Sequence, residues 1–283
     1  MFEIIEYSRV HDFYNANKEL IFKNRLSHYH LIKYFNELNN GNQSIYAGYN
    51  IIDQNGGNVI CVWADSVYYL YALKWSDSII LGLLSKIEID KYTKRFSFCG
   101  TLDLIKDLFE KSGITYEVFK ERNLFECFEH KDRKEDEIIG KPYLSSINDL
   151  DIIAQMTYDF GIEEWGHREG RDQLHASKIS LQSIYSKTSV NWQVNGEIVS
   201  VATILDSESE MSIIGNLYTQ PNHRGKGYAK SLVYEITKQI LEDGDRCGIV
   251  SDANNPITNK MFQEIGYEQI SKYISVNTLR EEV

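Results

Sequence analysis

Apolar residues recur along this chain at two spacings, and each spacing predicts a different element. After Asn148 and Asp149, the residues Leu150, Ile152, Ile153 and Met156 follow helical spacing, and a second such pattern runs over about 171–186 through Leu174, Ile179, Leu181 and Ile184. Two helices are therefore expected at the start of the C-terminal half. Residues 190–194 and 198–205 are β-branched runs separated by Asn195-Gly196. Both of those residues tolerate positive φ, so a hairpin is expected there. Residues 206–210 turn the chain into a strand over about 211–219. From Gly227 onward Ala229, Leu232, Val233, Ile236 and Ile240 fall on one helical face, ending near Asp243-Gly244. A strand over 247–251 follows. The next helix has Asn255 as N-cap, Pro256 at its first position and Gly266 beyond its end, and 267–276 reads as the terminal strand. This order predicts an α+β fold with a mixed, mostly antiparallel sheet flanked by helices.

The first 130 residues repeat the rhythm. Helical patterns span about 11–38, strand-like runs lie at 44–52, 59–64 and 67–74, and a strand over 95–99 leads into a helix over 102–111. The densest charge run, His130 to Glu137, lies close to the middle of the 283 residues and could not be accommodated in a core. It marks the expected boundary between a domain 1–130 and a domain 138–283, both of ordinary domain size.

Composition narrows the class. Hydrophobic residues make up 42% and charged residues 25%, with three prolines, as in a globular protein. No run of about 18 apolar residues occurs, and the first ten residues carry Glu3, Glu6 and Arg9, so neither a membrane span nor a signal peptide is expected and the location is read as cytoplasmic. Cys61, Cys99, Cys127 and Cys247 are scattered with no C-x-x-C pair, so no metal site or disulfide framework is expected. A net charge of −11 argues against a nucleic-acid partner.

Against that acidic background, residues 220–229 (Gln-Pro-Asn-His-Arg-Gly-Lys-Gly-Tyr-Ala) place basic-capable side chains at 223, 224 and 226 between a strand and a helix. The first turn of a helix offers backbone N–H groups without intrahelical acceptors and the positive end of the dipole, which suits a pyrophosphate. Gly225 and Gly227 remove Cβ atoms that would keep a phosphate from those amides. The stretch resembles the acyl-CoA-binding motif of the GNAT superfamily of N-acetyltransferases, in which a strand leads through Pro-x-x-Arg-Gly-x-Gly-x-Ala into a helix. Asn255, Thr258, Met261, Phe262, Gly266 and Tyr267 resemble that superfamily's second motif, most closely in the branch related to glycine N-acyltransferases.

The resemblance implies two tandem GNAT-like domains with acetyl-CoA as acyl donor in the second. It further implies that the backbone of Leu217, Tyr218 and Thr219 pairs with the pantetheine arm and that amides of Arg224, Gly225, Lys226, Gly227, Tyr228 and Ala229 hold the pyrophosphate. Asn255, Asn259 and Phe262, at i, i+4 and i+7, share a helical face that could meet the cofactor arm. Acyl transfer to an amine needs a base and a proton source. Relatives often place a Glu in the central strand, but Met211 to Asn216 contains none. Glu163, Glu164 and His167 after the first helix, and Glu210 at the strand's entry, remain candidates for the base. Relatives also carry a Tyr where Phe262 stands, and Tyr218, Tyr228 or Tyr267 would have to substitute.

The acceptor is read as a primary amine of a small molecule, amino acid or peptide, and the protein as a monomer or homodimer. A catalytically silent acyl-CoA-binding sensor is the alternative. A nucleotide-binding protein is disfavoured by the absence of G-x-G-x-x-G and G-K-[ST]. In the first half, residues 75–82 follow the third strand without paired glycines or a basic residue. That half is therefore expected to be a degenerate copy without a phosphate site, forming one wall of the acceptor cleft as two-lobed relatives suggest.

Overall fold

The computed structural model describes residues 1–39, 45–131, 138–166, 172–205 and 211–280. In the first half the elements are β1 (Phe2–Tyr7), α1 (Val10–Lys23), α2 (Tyr29–Asn39), β2 (Ile45–Asp53), β3 (Asn58–Ala64), β4 (Val67–Ala72), α3 (Asp77–Lys86), β5 (Ser97–Thr101), α4 (Leu102–Ser112) and β6 (Tyr116–Cys127). The second half gives β7 (Lys141–Leu144), α5 (Leu150–Trp165), α6 (Gln173–Tyr185), β8 (Ser189–Val194), β9 (Glu197–Leu205), β10 (Met211–Thr219), α7 (Tyr228–Glu242), β11 (Arg246–Asp252), α8 (Pro256–Ile265) and β12 (Glu268–Thr278). Apart from short 3-10 turns, the two halves run through the same order of strands and helices. The fold is α+β and repeats one plan twice, as expected.

Packing divides the chain into two compact units. Unit 1 comprises Met1–Leu124, Ser251–Asn255 and Gln269–Val283; unit 2 comprises Phe125–Val250 and Pro256–Glu268. The terminal strand β12, which in chain order belongs to the second half, is therefore part of unit 1, where it pairs antiparallel with β5 from Tyr273↔Thr101 to Asn277↔Ser97. Chain order fixes where a strand lies in sequence, and neither its period nor its composition names its neighbour. The charge run expected at the boundary lies outside the described residues from 132 to 137.

In unit 1 the strands run β1-β2-β3-β4-β5-β12-β6. Neighbours β1 to β4 are antiparallel, and β4 and β5 are parallel. On one face, Ile51, Val59, Leu70 and Phe98 pack with Leu104, Ile105, Leu108 and Phe109 of α4. Those four helix residues recur at the spacing of one buried stripe. The helix ends at Gly113, whose φ of +68° supplies the left-handed cap. Phe13, Ile21, Leu31 and Phe35 of α1 and α2 pack with Ile60, Val62, Tyr69 and Tyr71 in a second cluster.

In unit 2 the order is β11-β10-β9-β8-β7, with the end of β6 beside β11. Strands β7 to β10 are antiparallel and β10 is parallel to β11. The β8–β9 hairpin turns on Asn195 and Gly196 at φ +52° and +83°, the left-handed pair that the dipeptide predicted. Leu232, Val233, Ile236 and Ile240 of α7 fill the core with Val199, Ala202, Ile214 and Ile249.

Four elements have no clear periodic signature in the sequence. In α3, residues 79–84 (Ile-Ile-Leu-Gly-Leu-Leu) are apolar almost all round, so no stripe separates a helix from a buried strand. In β6 the first half is largely exposed and carries Glu117, Lys120 and Glu121, whereas its second half is buried. The edge strands β1 and β7 are short.

Candidate functional site

The site begins with a break in β10. Its pairing with β11 runs from Met211↔Arg246 to Ile214↔Ile249 and stops there, although β10 continues to Thr219. On the other side the register with β9 passes from Gly215↔Thr203 to Tyr218↔Val201, so β10 carries one extra residue. Asn216 sits at φ +49° inside that bulge. A bulge adds twist and re-aims the backbone that follows it. The end of the strand is held on the β9 side, where the buried Ser200 hydroxyl donates to the Tyr218 carbonyl at 3.1 Å and Gln220 donates to the Ile198 carbonyl at 2.5 Å.

From there Pro221–His223 makes a single 3-10 turn and Gly225 and Gly227 adopt φ of +75° and +82° before α7 starts. A Cβ at 225 would meet no protein atom within 4 Å, so that face of the loop is open, whereas one at 227 would lie 2.7 Å from Ile138 Cδ1. The Arg224 amide donates to the Pro221 carbonyl at 3.3 Å, and the first helical bond is from Ser231 N–H to the Gly227 carbonyl at 3.0 Å. Among the described residues, the amides from Gly225 to Lys230 have no hydrogen-bond acceptor. Lys226 is exposed beside them and forms no ion pair among the described residues. A helix start whose N–H groups have no acceptor among the described residues, beside a lysine side chain, is the kind of place where backbone can meet an anion.

The loop's arginine and histidine side chains are already engaged. The Arg224 guanidinium donates to both carboxylate oxygens of Glu163 on α5, at 2.8 and 3.0 Å, and to the Thr219 carbonyl at 2.9 Å. It also lies 5.1 Å from the centre of the Tyr218 ring. His223 meets Glu197 at 3.0 Å. Both contacts pin the loop to neighbouring elements, and the Arg224 amide is itself turned to the Pro221 carbonyl. Arg224 contributes to loop shape through its side chain.

Among the catalytic candidates, Glu163 and Tyr218 come together. The Tyr218 hydroxyl lies 3.5 Å from Glu163 Oε1, and its ring is buried against Ile153, Met156 and Val201. Burial, reinforced by the charges of Glu163 and Asp159, raises the Tyr218 pKa, so the phenol stays protonated. Glu164 is half-buried on the last turn of α5 and is itself engaged. His167 and Glu210 lie outside the described residues.

Along α8, Phe262 is 4% exposed and packs against Phe125 and Tyr267, with ring centres 5.9 and 6.0 Å away. The ring is part of the core of unit 2. Asn259 is half-buried and engaged; Asn255 is exposed and counts with unit 1, so the three residues that share a helical face by sequence do not share one environment. An ion pair from Lys230 to Glu264 at 2.7 Å ties α8 to the start of α7. Sequence reading missed Ser200, Gln220, Glu197 and the Glu163 partner of Arg224. All four make contacts across 18 or more positions of chain, which no local spacing encodes.

Among the described residues, no group of three His, Cys, Asp or Glu side chains could hold a metal ion, and no helix is long and apolar enough to cross a membrane.

Residues 195–276 match the FR47-like protein family. No curated protein sequence matches the chain significantly. An acetyltransferase of the GNAT family from Colwellia psychrerythraea superposes with a TM-score of 0.59 at 11% identity, over 98% of this chain and 99% of its own. A Drosophila protein gives the same TM-score at 14% identity with the same coverage. A GCN5-related N-acetyltransferase from Sphaerobacter thermophilus gives 0.56 at 10% identity over 83% of this chain and 82% of its own. The whole chain thus has a GNAT fold, and the family match falls on the half that carries the glycine loop.

Proposed function

We propose that the protein is an N-acetyltransferase, with acetyl-CoA, or a close acyl-CoA relative, as donor in unit 2 and a primary amine of a small molecule, amino acid or peptide as acceptor. The observation that carries this reading is the loop from Gly225 to Lys230, whose amides lie open beside Lys226 directly after a bulged strand that has parted from β11. The amides suit the pyrophosphate, and the β10 backbone at Leu217, Tyr218 and Thr219 is the natural partner for an amide-bearing pantetheine arm. Acetyl-CoA supplies an activated acyl group on a thioester. The chain's own residues have to orient the amine, relieve it of a proton and return a proton to the departing sulfur.

Tyr218 is the candidate proton donor, since its phenol stays protonated and lies on the strand beside the parted edge. Glu163 is a candidate base, held by Arg224, and Glu164 and His167 remain candidates. The resemblance to glycine N-acyltransferases, a cytoplasmic location and a monomeric or homodimeric state belong to the same proposal.

A catalytically silent acyl-CoA sensor is the second reading. It is favoured by the burial of Phe262 in the core and by the lack of a carboxylate between Met211 and Thr219. Thiol release from acetyl-CoA in the presence of a panel of amines, followed by mass spectrometry of the products, separates the two. Acceptor-dependent release identifies an enzyme; binding without release identifies a sensor.

A further inference from the structure

Arg224 stands at the entry of the glycine loop, and its side chain reaches out of the loop to two neighbouring elements. Nε donates to the Thr219 carbonyl at the end of β10 at 2.9 Å, and Nη2 donates to both oxygens of Glu163 on α5 at 2.8 and 3.0 Å. The guanidinium also lies 5.1 Å from the centre of the Tyr218 ring. One planar group thus engages three acceptor oxygens and a ring. An ammonium is a point charge and cannot reproduce that fork.

At α5 the contact meets a helix end of unfavourable charge. The last turn carries Glu163 and Glu164 beside the negative end of the helix dipole and contains no basic residue. Gly166 then ends the helix at φ +70°, its amide on the Ile162 carbonyl at 2.9 Å. Arg224 brings to this end the positive charge that the turn itself lacks. The two side chains are 43% and 51% exposed, so as a plain ion pair the contact would stabilise little. Its bidentate form and the added bond to Thr219 make it a constraint on geometry. On the loop side, the left-handed Gly225 and Gly227 give the backbone freedom to open. Opening the loop withdraws Arg224 and leaves the two carboxylates at the end of α5 with less to offset them. Fraying of α5 likewise releases the loop.

We propose that Arg224 is a positioning residue that couples occupation of the glycine loop by an acyl-CoA to the order of the last turn of α5. This rests on the donor reading of unit 2. A pyrophosphate that binds the closed loop in preference to the opened one favours the state in which Arg224 holds Glu163, so the donor orders this candidate base before the amine arrives. The coupling is reciprocal, and Glu163 therefore supports donor binding from another element. The sign is diagnostic. Charge repulsion alone makes Glu163 a hindrance to a phosphate-bearing donor, and its removal would tighten binding; coupling makes its removal weaken binding.

Calorimetry of the full chain with acetyl-CoA, and hydrogen exchange of peptides covering 158–166 with and without it, test this. Glu163→Gln is expected to weaken acetyl-CoA binding about threefold to tenfold. In the native chain, saturating acetyl-CoA is expected to slow exchange in those peptides by at least about threefold. Arg224→Gln and Glu163→Gln, each at a concentration shown by calorimetry to saturate it, are expected to show no slowing, and Arg224→Lys an intermediate one. Both residues are on the surface, and a cooperative melting curve confirms that each variant is folded. Binding by Glu163→Gln as tight as, or tighter than, that of the native chain overturns the proposal and leaves the donor reading standing. So does slowing in Arg224→Gln equal to that in the native chain. A native chain that takes up no acetyl-CoA overturns the donor reading and this proposal with it.

Discussion

Units 1 and 2 follow one plan up to the point where their parallel strands meet, and there they diverge. Leu70↔Gly100 in unit 1 stands in the register position of Ile214↔Ile249 in unit 2. In both units the backbone pairing ends at this position, and in unit 1 a side chain bridges the strands beyond it. A Cβ on Gly100 would lie 1.7 Å from the Leu70 carbonyl oxygen, and the next residue, Thr101, joins its hydroxyl to the Ala72 backbone N–H and carbonyl, both at 3.3 Å. In unit 2 the residue after Ile249 is Val250, which has no polar side-chain atom, and β10 bulges away instead. The helix that follows differs in the same sense. α3 opens with Asp77, paired to Lys111, and Ser76 bonded to Asp53, whereas α7 opens with two left-handed glycines and amides that have no acceptor among the described residues. One copy of the plan bridges the gap with side chains and acidic groups; the other leaves it to backbone, as the proposed donor site requires.

The largest test of this contrast is acid. Burial pushes His28 in unit 1 from 6.5 down to about 4. The unfolded chain therefore takes up its proton first as the pH falls. Stability from this group is complete above pH 6.5 and is lost between 6.5 and 4, by roughly 3 kcal/mol at most. Hydrogen exchange at pH 7 and pH 5 should show protection falling first in peptides of α1, β3 and β4, with α7 still protected. Equal loss in both units, or an unchanged pH slope in His28→Asn, would remove His28 from the account.

Gly225→Asp strikes the other unit. It places a carboxylate where a pyrophosphate must approach and a side chain at φ +75°, so acetyl-CoA binding should weaken by at least about 2 kcal/mol, more than tenfold. Calorimetry of the native chain should give one acetyl-CoA per chain, and the variant should reveal no second, weaker site, because α3 opens on the Asp77 carboxylate and no glycine turn precedes it. A ratio of two would mean that unit 1 is not closed.

How much of this was legible beforehand follows from where each signal resides. Local turn chemistry was written in single residues: Asn195-Gly196, Gly225, Gly227 and Pro256 each stand where the backbone requires them. The amphipathic stripes of α4 and α7 marked their buried faces. Contacts made across the fold left no such trace. The commitment of Arg224 to Glu163 spans 61 positions, the assignment of β12 to unit 1 depends on which strand edge it meets, and Thr101 acts as a clasp only because Ala72 lies opposite.

Phe262 shows the same limit. By its place in the motif the ring lies on a face that could meet the cofactor arm, and its packing partners are Phe125 and Tyr267. Phe262→Tyr therefore adds a hydroxyl to a packed core. The expected outcome is a stability loss of about 1 to 2 kcal/mol in denaturant titration with no gain in turnover on any established acceptor. A clear rise in turnover would place the ring edge at the reacting sulfur.

The smallest expected effect addresses the clasp itself. Thr101→Val keeps the branched shape and removes the hydroxyl that touches both polar groups of Ala72. Both contacts are 3.3 Å long, so each is a weak bond, and the Ala72 backbone lies at a strand end where water can replace part of what is lost. A destabilisation of about 1 kcal/mol is expected. If the hydroxyl alone kept β4 and β5 together, the variant should also loosen the strand ends and raise exchange at Ala72 and Leu73. It should not confer acetyl-CoA binding on unit 1, because parting the strands supplies neither the glycine turn nor the unpaired amides of α7. Gly100 decides how far the loosening can go: its missing Cβ is what lets β5 approach the Leu70 carbonyl, and that contact survives in the variant. Unchanged exchange at Ala72 would therefore assign the closure to Gly100, and a Thr101→Val, Gly100→Ala pair would then part the strands where Thr101→Val does not.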